Sequence, residues 1–230
     1  MRVTAFIALA LLLGSCAARP PWPPDAGDAL AAVEARMLAA PTARVDYRIS
    51  ATGAFTADLE GTLGLGERGR TLLVANGTFG GAPQRLLLVA DDDTMRGTRA
   101  DSLAFEGEQP AALREALLLG LTRMGLLHNL ARLTAGRPPD HAEDGVDGWI
   151  EAHSAAWGPT ETIDGREAKA LTFTLNVGGT DAADVTFWLD AATGWPLGRD
   201  QTVVFPDGTM TVAERYGVWS LREAPLNLPN

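Results

Sequence analysis

From residue 43 onward the apolar residues recur at every second position, and short turns interrupt them at close intervals. Val45, Tyr47 and Ile49 alternate with Asp46, Arg48 and Ser50, and Leu59, Leu63 and Leu65 share one parity against Asp58, Glu60 and Thr62. Later, Leu171, Phe173, Leu175 and Val177 alternate with Thr172, Thr174 and Asn176, as Val185, Phe187 and Leu189 do with Thr186 and Trp188. A strand sends successive side chains to opposite faces, so the pattern predicts strands with one buried and one wetted face, the habit of antiparallel sheets. Strands are expected over 43–50, around 59–65, and over 70–79, 84–90, 94–97, 149–157, 167–177, 184–190, 198–205 and 209–221, with Asp91-Asp92-Asp93 as a turn. The links Asp164-Gly165, Ala192-Thr193-Gly194 and Pro206-Asp207-Gly208 have hairpin chemistry, which makes consecutive strands antiparallel neighbours.

Two segments break this period. Residues 25–40 place Leu30, Val33, Met37 and Leu38 at helical spacing behind Asp28 as the expected N-cap, and Pro41 stops the pattern. Residues 110–135 place Leu113, Leu117, Leu121, Met124, Leu127 and Leu130 on one helical stripe, which Leu118 and Leu119 widen, while Gly120, Gly125 and Gly136 mark bends or the end. A helix apolar over so much of its circumference must be covered on most sides. The fold class expected is α+β: about ten strands in one curved antiparallel sheet, a half-barrel wrapped around or plugged by helices.

The N-terminus carries an address. Met1 and Arg2 precede an apolar run of about eleven residues, too short to span a bilayer of roughly 30 Å, and then comes Leu13-Gly14-Ser15-Cys16. These four residues resemble the bacterial lipobox, in which cleavage before the cysteine exposes it for lipid attachment. The expected organisation is a lipoprotein signal peptide over 1–15, the lipidated Cys16 and a Pro-rich tether over 16–25, and a single domain over 26–230. Four prolines in 17–25 make the tether stiff and extended, about 25 Å long at about 3.1 Å per residue. Trp22 within it could dock at the lipid interface or pack on the domain. Ala17 after the cysteine, compared with enterobacterial lipoproteins, favours the outer membrane facing the periplasm.

Charge and cysteine usage exclude several classes. The net charge of the 230 residues is −10, without the clustered basic surface that phosphate neutralisation needs, so no nucleic-acid partner is expected. One cysteine leaves no internal disulfide and no multi-cysteine metal site. There is no G-x-S-x-G elbow, no H-E-x-x-H and no phosphate-binding glycine loop, so neither an enzyme nor a cofactor is expected. His141, Glu143, Asp144 and His153 are chemically suited to a metal, but their spacing matches no metal motif, and no metal site is expected. His128 reads as a packed or helix-end histidine.

The run Val185-Thr186-Phe187-Trp188-Leu189-Asp190, then Thr193-Gly194-Trp195-Pro196-Leu197, a strand ending in Phe205, the turn Asp207-Gly208, and Glu214-Arg215-Tyr216 together resemble the C-terminal half of the outer-membrane lipoprotein carrier superfamily, the LolA- and LolB-like proteins. There a strand ending in a D-x-x-T-G-x-P turn feeds a hairpin that finishes near an aromatic residue. The opening helix and the strands near 55–65 and 70–79 resemble its N-terminal half. The resemblance implies an open half-barrel closed by helices around an apolar cavity that takes acyl chains. Burial of each acyl methylene gains about 0.8 kcal/mol, so a carrier needs a large dry concavity. Leu113, Leu117, Leu121, Met124 and Leu127 are then the candidate lipid-binding residues, on a helix readable as a displaceable lid or as permanent core. The function expected is non-catalytic binding of lipid or lipoprotein acyl chains; the alternative is a structural or protein-interaction lipoprotein of the same fold with a filled cavity.

Overall fold

A computed structural model describes residues 22–136 and 150–221. A helix α1 (Ala26–Ala39) opens the chain, and strands β1 (Ala43–Gly53), β2 (Ala57–Leu65), β3 (Thr71–Phe79), β4 (Ala82–Asp91), β5 (Thr94–Arg99) and β6 (Ser102–Glu108) follow. Helices α2 (Leu113–Thr122) and α3 (Leu126–Thr134) come next. Then come β7 (Ile150–Ile163), β8 (Arg166–Val177), β9 (Thr180–Asp190), β10 (Pro196–Phe205) and β11 (Gly208–Tyr216).

All eleven strands form one unclosed, curved antiparallel sheet in the order β6-β5-β4-β3-β2-β1-β11-β10-β9-β8-β7. Two meanders therefore meet at a seam where β1 pairs with β11, Tyr47 opposite Tyr216 and Gly53 opposite Met210. Among the described residues the edges of the sheet are β6 and β7, and α2 and α3 lie in the chain between them. Register in β1 follows its alternation: Ala43, Val45, Tyr47, Ile49 and Ala51 are buried, and the residues between them face solvent. A slip of one position would turn all five outward.

The helices fill the concave face. Leu113, Leu117, Leu118, Leu121, Leu126, Leu130 and Leu133 join residues from both meanders in one core cluster. Each such side chain, fully withdrawn from water, contributes about 1.5–3 kcal/mol. No helix among the described residues is long and apolar enough to cross a membrane.

The structure departs from the sequence reading in several places. The N-cap of α1 is Asp25, whose Oδ1 accepts from Asp28 N at 3.0 Å, so Asp28 lies in the first turn and supplies the capped amide. The long helix is two helices, broken at 123–125, where Gly125 adopts φ +89°. The strands number eleven among the described residues, because β6 pairs with β5 through a turn at Ala100-Asp101 with φ of +48° and +62°. That geometry belongs to tight hairpins, and glycine, its usual marker, is absent here. Strand β11 ends at Tyr216, after which Ser220 makes an isolated bridge to Arg44. Trp22 packs on the domain, edge-on to Trp157 at 5.5 Å between centroids.

Candidate functional site: an apolar cleft beside the helix break

Three hairpin tips and one helix converge at one end of the sheet. The β1–β2 link supplies Ala54 and Phe55, the end of β3 supplies Phe79, and the β10–β11 turn supplies Phe205, Pro206 and Asp207. Met124, Leu127, His128 and Ala131 face them from the helix break and α3, and Gln201, Val203, Met210 and Val212 complete the walls. The space enclosed is about 610 Å³, within the range of small-molecule sites. Phe55 and Phe79 meet edge to face at 4.6 Å, and Phe205 is 40% exposed at the mouth.

Buried polar groups hold the break that frames this cleft. Glu34 of α1 receives Arg123 through two bonds, Nε to Oε1 and Nη2 to Oε2, both 2.9 Å. Thr122 Oγ1 donates to Glu34 Oε1 at 2.8 Å, and Arg123 Nη1 donates to the Ile150 carbonyl at 2.8 Å. From the sheet, Glu214 accepts from the amides of Leu126 at 3.0 Å and Leu127 at 2.9 Å, capping the start of α3 where backbone donors have no helical partner. The Tyr216 hydroxyl donates to the same carboxylate, and burial, followed by the neighbouring Glu214, pushes that phenol well above its ordinary range. Arg199 is fully buried and donates to the Leu121 carbonyl at 3.3 Å and to Gln201 Oε1 at 2.9 Å. Its pKa is lowered by that burial, against the opposing pull of Glu214.

Leu113, Leu117 and Leu121 are fully buried in the core and do not line the cleft, whereas Met124 and Leu127 do. The remaining walls are residues that helical periodicity could not supply, because they sit at turn tips far apart in sequence. Arg199 and Gln201 share the parity of the cleft residue Val203 in β10, and Glu214 shares that of Val212, a signal that marks all three as inward-facing. Cys16, His141, Glu143 and Asp144 lie outside the described residues. His153 Nε2 lies 2.9 Å from Asp181 Oδ1, and His153 Nδ1 lies 2.9 Å from Ser154 Oγ. The bonds from His153 and Asn176 hold the Asp181 carboxyl below its usual range. No group of three or more metal-ligating side chains occurs among the described residues.

The opposite end of the sheet explains the motif from the β9–β10 region. Asp190 Oδ1 accepts from the Ala192 and Thr193 amides and from the Thr193 hydroxyl, and its Oδ2 pairs with Arg166 at 2.6 Å. Arg36 of α1 donates to the Thr193 and Gly194 carbonyls and lies 4.7 Å from the centre of the Trp195 ring. The D-x-x-T-G turn is thus a structural fastener between helix and sheet.

An open eleven-stranded arc with helices in its concavity agrees with the half-barrel that the resemblance in the sequence implies. No family model and no curated protein matches the chain. Among solved structures, LprF from Mycobacterium bovis is similar over 90% of this chain and 97% of its own, at 13% identity and a TM-score of 0.51. A LolA superfamily protein from Nitrosomonas europaea covers 87% of this chain and 94% of its own, at 10% identity and a TM-score of 0.37. MucB of Pseudomonas aeruginosa, in a complex with MucA, covers 88% of this chain and 59% of its own, at 15% identity and a TM-score of 0.45.

Proposed function

We propose that this chain is a non-catalytic bacterial envelope lipoprotein that binds acyl chains, of lipid or of lipoproteins, in the cleft beside the helix break. The observation that carries this reading is the cleft itself: about 610 Å³ walled by Phe55, Phe79, Met124, Leu127, Phe205 and Met210. Within the candidate helical stripe, Met124 and Leu127 meet the ligand, and Leu113, Leu117 and Leu121 support the frame from the core. The fixed break, held by Glu34, Arg123 and Glu214, argues for a pre-formed site in place of a helix that swings out as a lid.

The tether reading adds a direction. Trp22 lies beside Gly194 at one end of β10, and the cleft lies at the Phe205 end. Ten residues of β10 at about 3.3 Å each separate the two by roughly 30 Å. With Cys16 lipidated in the outer membrane, the mouth faces away from the anchoring bilayer and takes its ligand from the periplasmic side.

A second reading rests on the helices that fill most of the concavity: a structural or protein-interaction lipoprotein that acts through its surface. One experiment separates the two. The domain without its first 21 residues, purified and extracted with organic solvent, is expected to yield acyl lipid by mass spectrometry and to bind a fluorescent apolar probe. Absence of both removes the acyl-binding reading and leaves the second. Cys16→Ser is expected to release the protein from membranes; unchanged attachment would refute the lipid anchor.

A further inference from the structure

The cleft is not uniformly apolar, and its polarity has a direction. Gln201 lies on its wall, only 5% exposed, deeper along β10 than Val203 and Phe205. Arg199 Nη2 donates to Gln201 Oε1 at 2.9 Å. A guanidinium carries five N–H donors and accepts nothing, so only the amide oxygen of Gln201 can face it. The Gln201 NH₂ group is thereby turned the other way. It makes no hydrogen bond among the described residues and is not sealed from solvent, so its two donors remain available on a side chain that lines the cleft. Arg199 behind it is fully buried, with its Nε unpartnered. The nearby Glu214 carboxylate does not line the cleft; it is occupied by the Leu126 and Leu127 amides and the Tyr216 hydroxyl. At the rim stands Asp207, on the β10–β11 turn.

A ligand in this cleft therefore meets donors backed by a cation at the inner end, mostly apolar walls with His128 among them in the middle, and a carboxylate at the mouth. An anionic head held at the rim would lie beside Asp207, where like charges repel. The same head at the inner end would receive N–H bonds from a side chain only 5% exposed, where bonds to charged groups are strengthened. We infer that Gln201, oriented by Arg199, is a binding residue for the head of a single-chain acyl ligand bearing a carboxylate or ester carbonyl, which enters head first and leaves its chain among Met124, Leu127, Phe55, Phe79 and Phe205. This inference rests on the acyl-binding reading and specifies the chemistry and orientation of its ligand. A free fatty acid and the acyl ester of a larger lipid share the acceptor group, and the test distinguishes them.

Hexadecanoate, its methyl ester and hexadecylamine, each below its micelle concentration, compete with the neutral probe N-phenyl-1-naphthylamine on the domain without residues 1–21. The expected order is acid and ester at least about tenfold tighter than amine, since only the first two present acceptors to the Gln201 donors. A free-acid ligand makes the acid the tightest; an esterified ligand makes acid and ester equal. Gln201→Glu keeps size and the bond to Arg199 but replaces both donors with an acceptor, and it is expected to weaken the acid about tenfold or more and to narrow or invert the gap to the amine. A melting temperature within a few degrees of wild type establishes that the variant folds, and the wild-type order stands as a test without it. Equal affinities for acid and amine in the wild type, or an unchanged order in Gln201→Glu, would overturn the inference and leave the acyl-binding reading intact. Failure of the probe and all three ligands to bind would overturn both.

Discussion

At the Pro196 end of β10, the turn from β9 is fastened by Asp190, Arg166 and Arg36, with Trp22 and Trp195 packed around it. At the Phe205 end, no ion pair occurs among the described residues of the three hairpin tips, and phenylalanine side chains face an open volume. The same strand thus joins an end closed by charge and hydrogen bonding to an end that is mostly apolar and open. Openness here is not slackness: the helix break that borders the cleft is bolted by the Glu34–Arg123 pair and by Glu214. An apolar site is useful to a ligand only if its walls do not collapse into it, and buried charges that cannot be left unpaired supply that resistance.

Substitutions can break or sharpen this contrast. Arg123→Ala strands the Glu34 carboxylate, which is 6% exposed, and is expected to cost about 3–5 kcal/mol in denaturant unfolding. A loss below about 1 kcal/mol would show the break to be free to shift, and the frame argument would fall. Asp190→Asn weakens the fastener at the closed end and is expected to cost about 1–3 kcal/mol at neutral pH.

The Asp190 change also has a pH signature. Burial raises the Asp190 pKa, but the Thr193 amide and hydroxyl, Arg166 and the Ala192 amide outweigh it, and the folded value lies below the ordinary one. Its contribution is therefore complete above the unfolded carboxylate value, about 3.9, and is lost as pH falls through the lower folded value. Asp190→Asn should flatten that acid limb of the stability curve; an unchanged limb would remove Asp190 as its source.

At the open end the order of effects reverses. Phe205→Ala is expected to change stability by less than about 1 kcal/mol, since the side chain is already 40% exposed, yet to weaken probe binding about fivefold or more. The smallest effect is expected at Arg48–Asp164, whose side chains are 69% and 55% exposed: Asp164→Asn should alter the melting midpoint by a degree or less.

What the sequence made legible follows the range of the interactions involved. The strand faces of β1 and β8 are written in their own alternation, and Gly125 marks the helix break locally. Strand β6 is not legible in the sequence, because Ala100 and Asp101 adopt the positive φ values of a tight hairpin without glycine to announce it. In the cleft, Met124 and Leu127 were readable from one helical stripe. Phe55, Phe79 and Phe205 were not, because only the pairing of distant strands brings their turns together. Arg199 and Glu214 stand at inward parity in their own strands, but what they hold is not legible there, because their partners at Leu121, Leu126 and Leu127 are distant in the chain.

That seam has a consequence for how the molecule assembles. Every strand pairing but one joins neighbours in the chain, so each meander can grow from hairpins whose loops close quickly. Tyr47 and Tyr216 are the exception, paired across most of the domain. Within the sheet, the largest loop closure is therefore the docking of β1 on β11. Glu214 belongs to that same seam strand and caps the start of α3, so the strand that completes the sheet also frames the cleft.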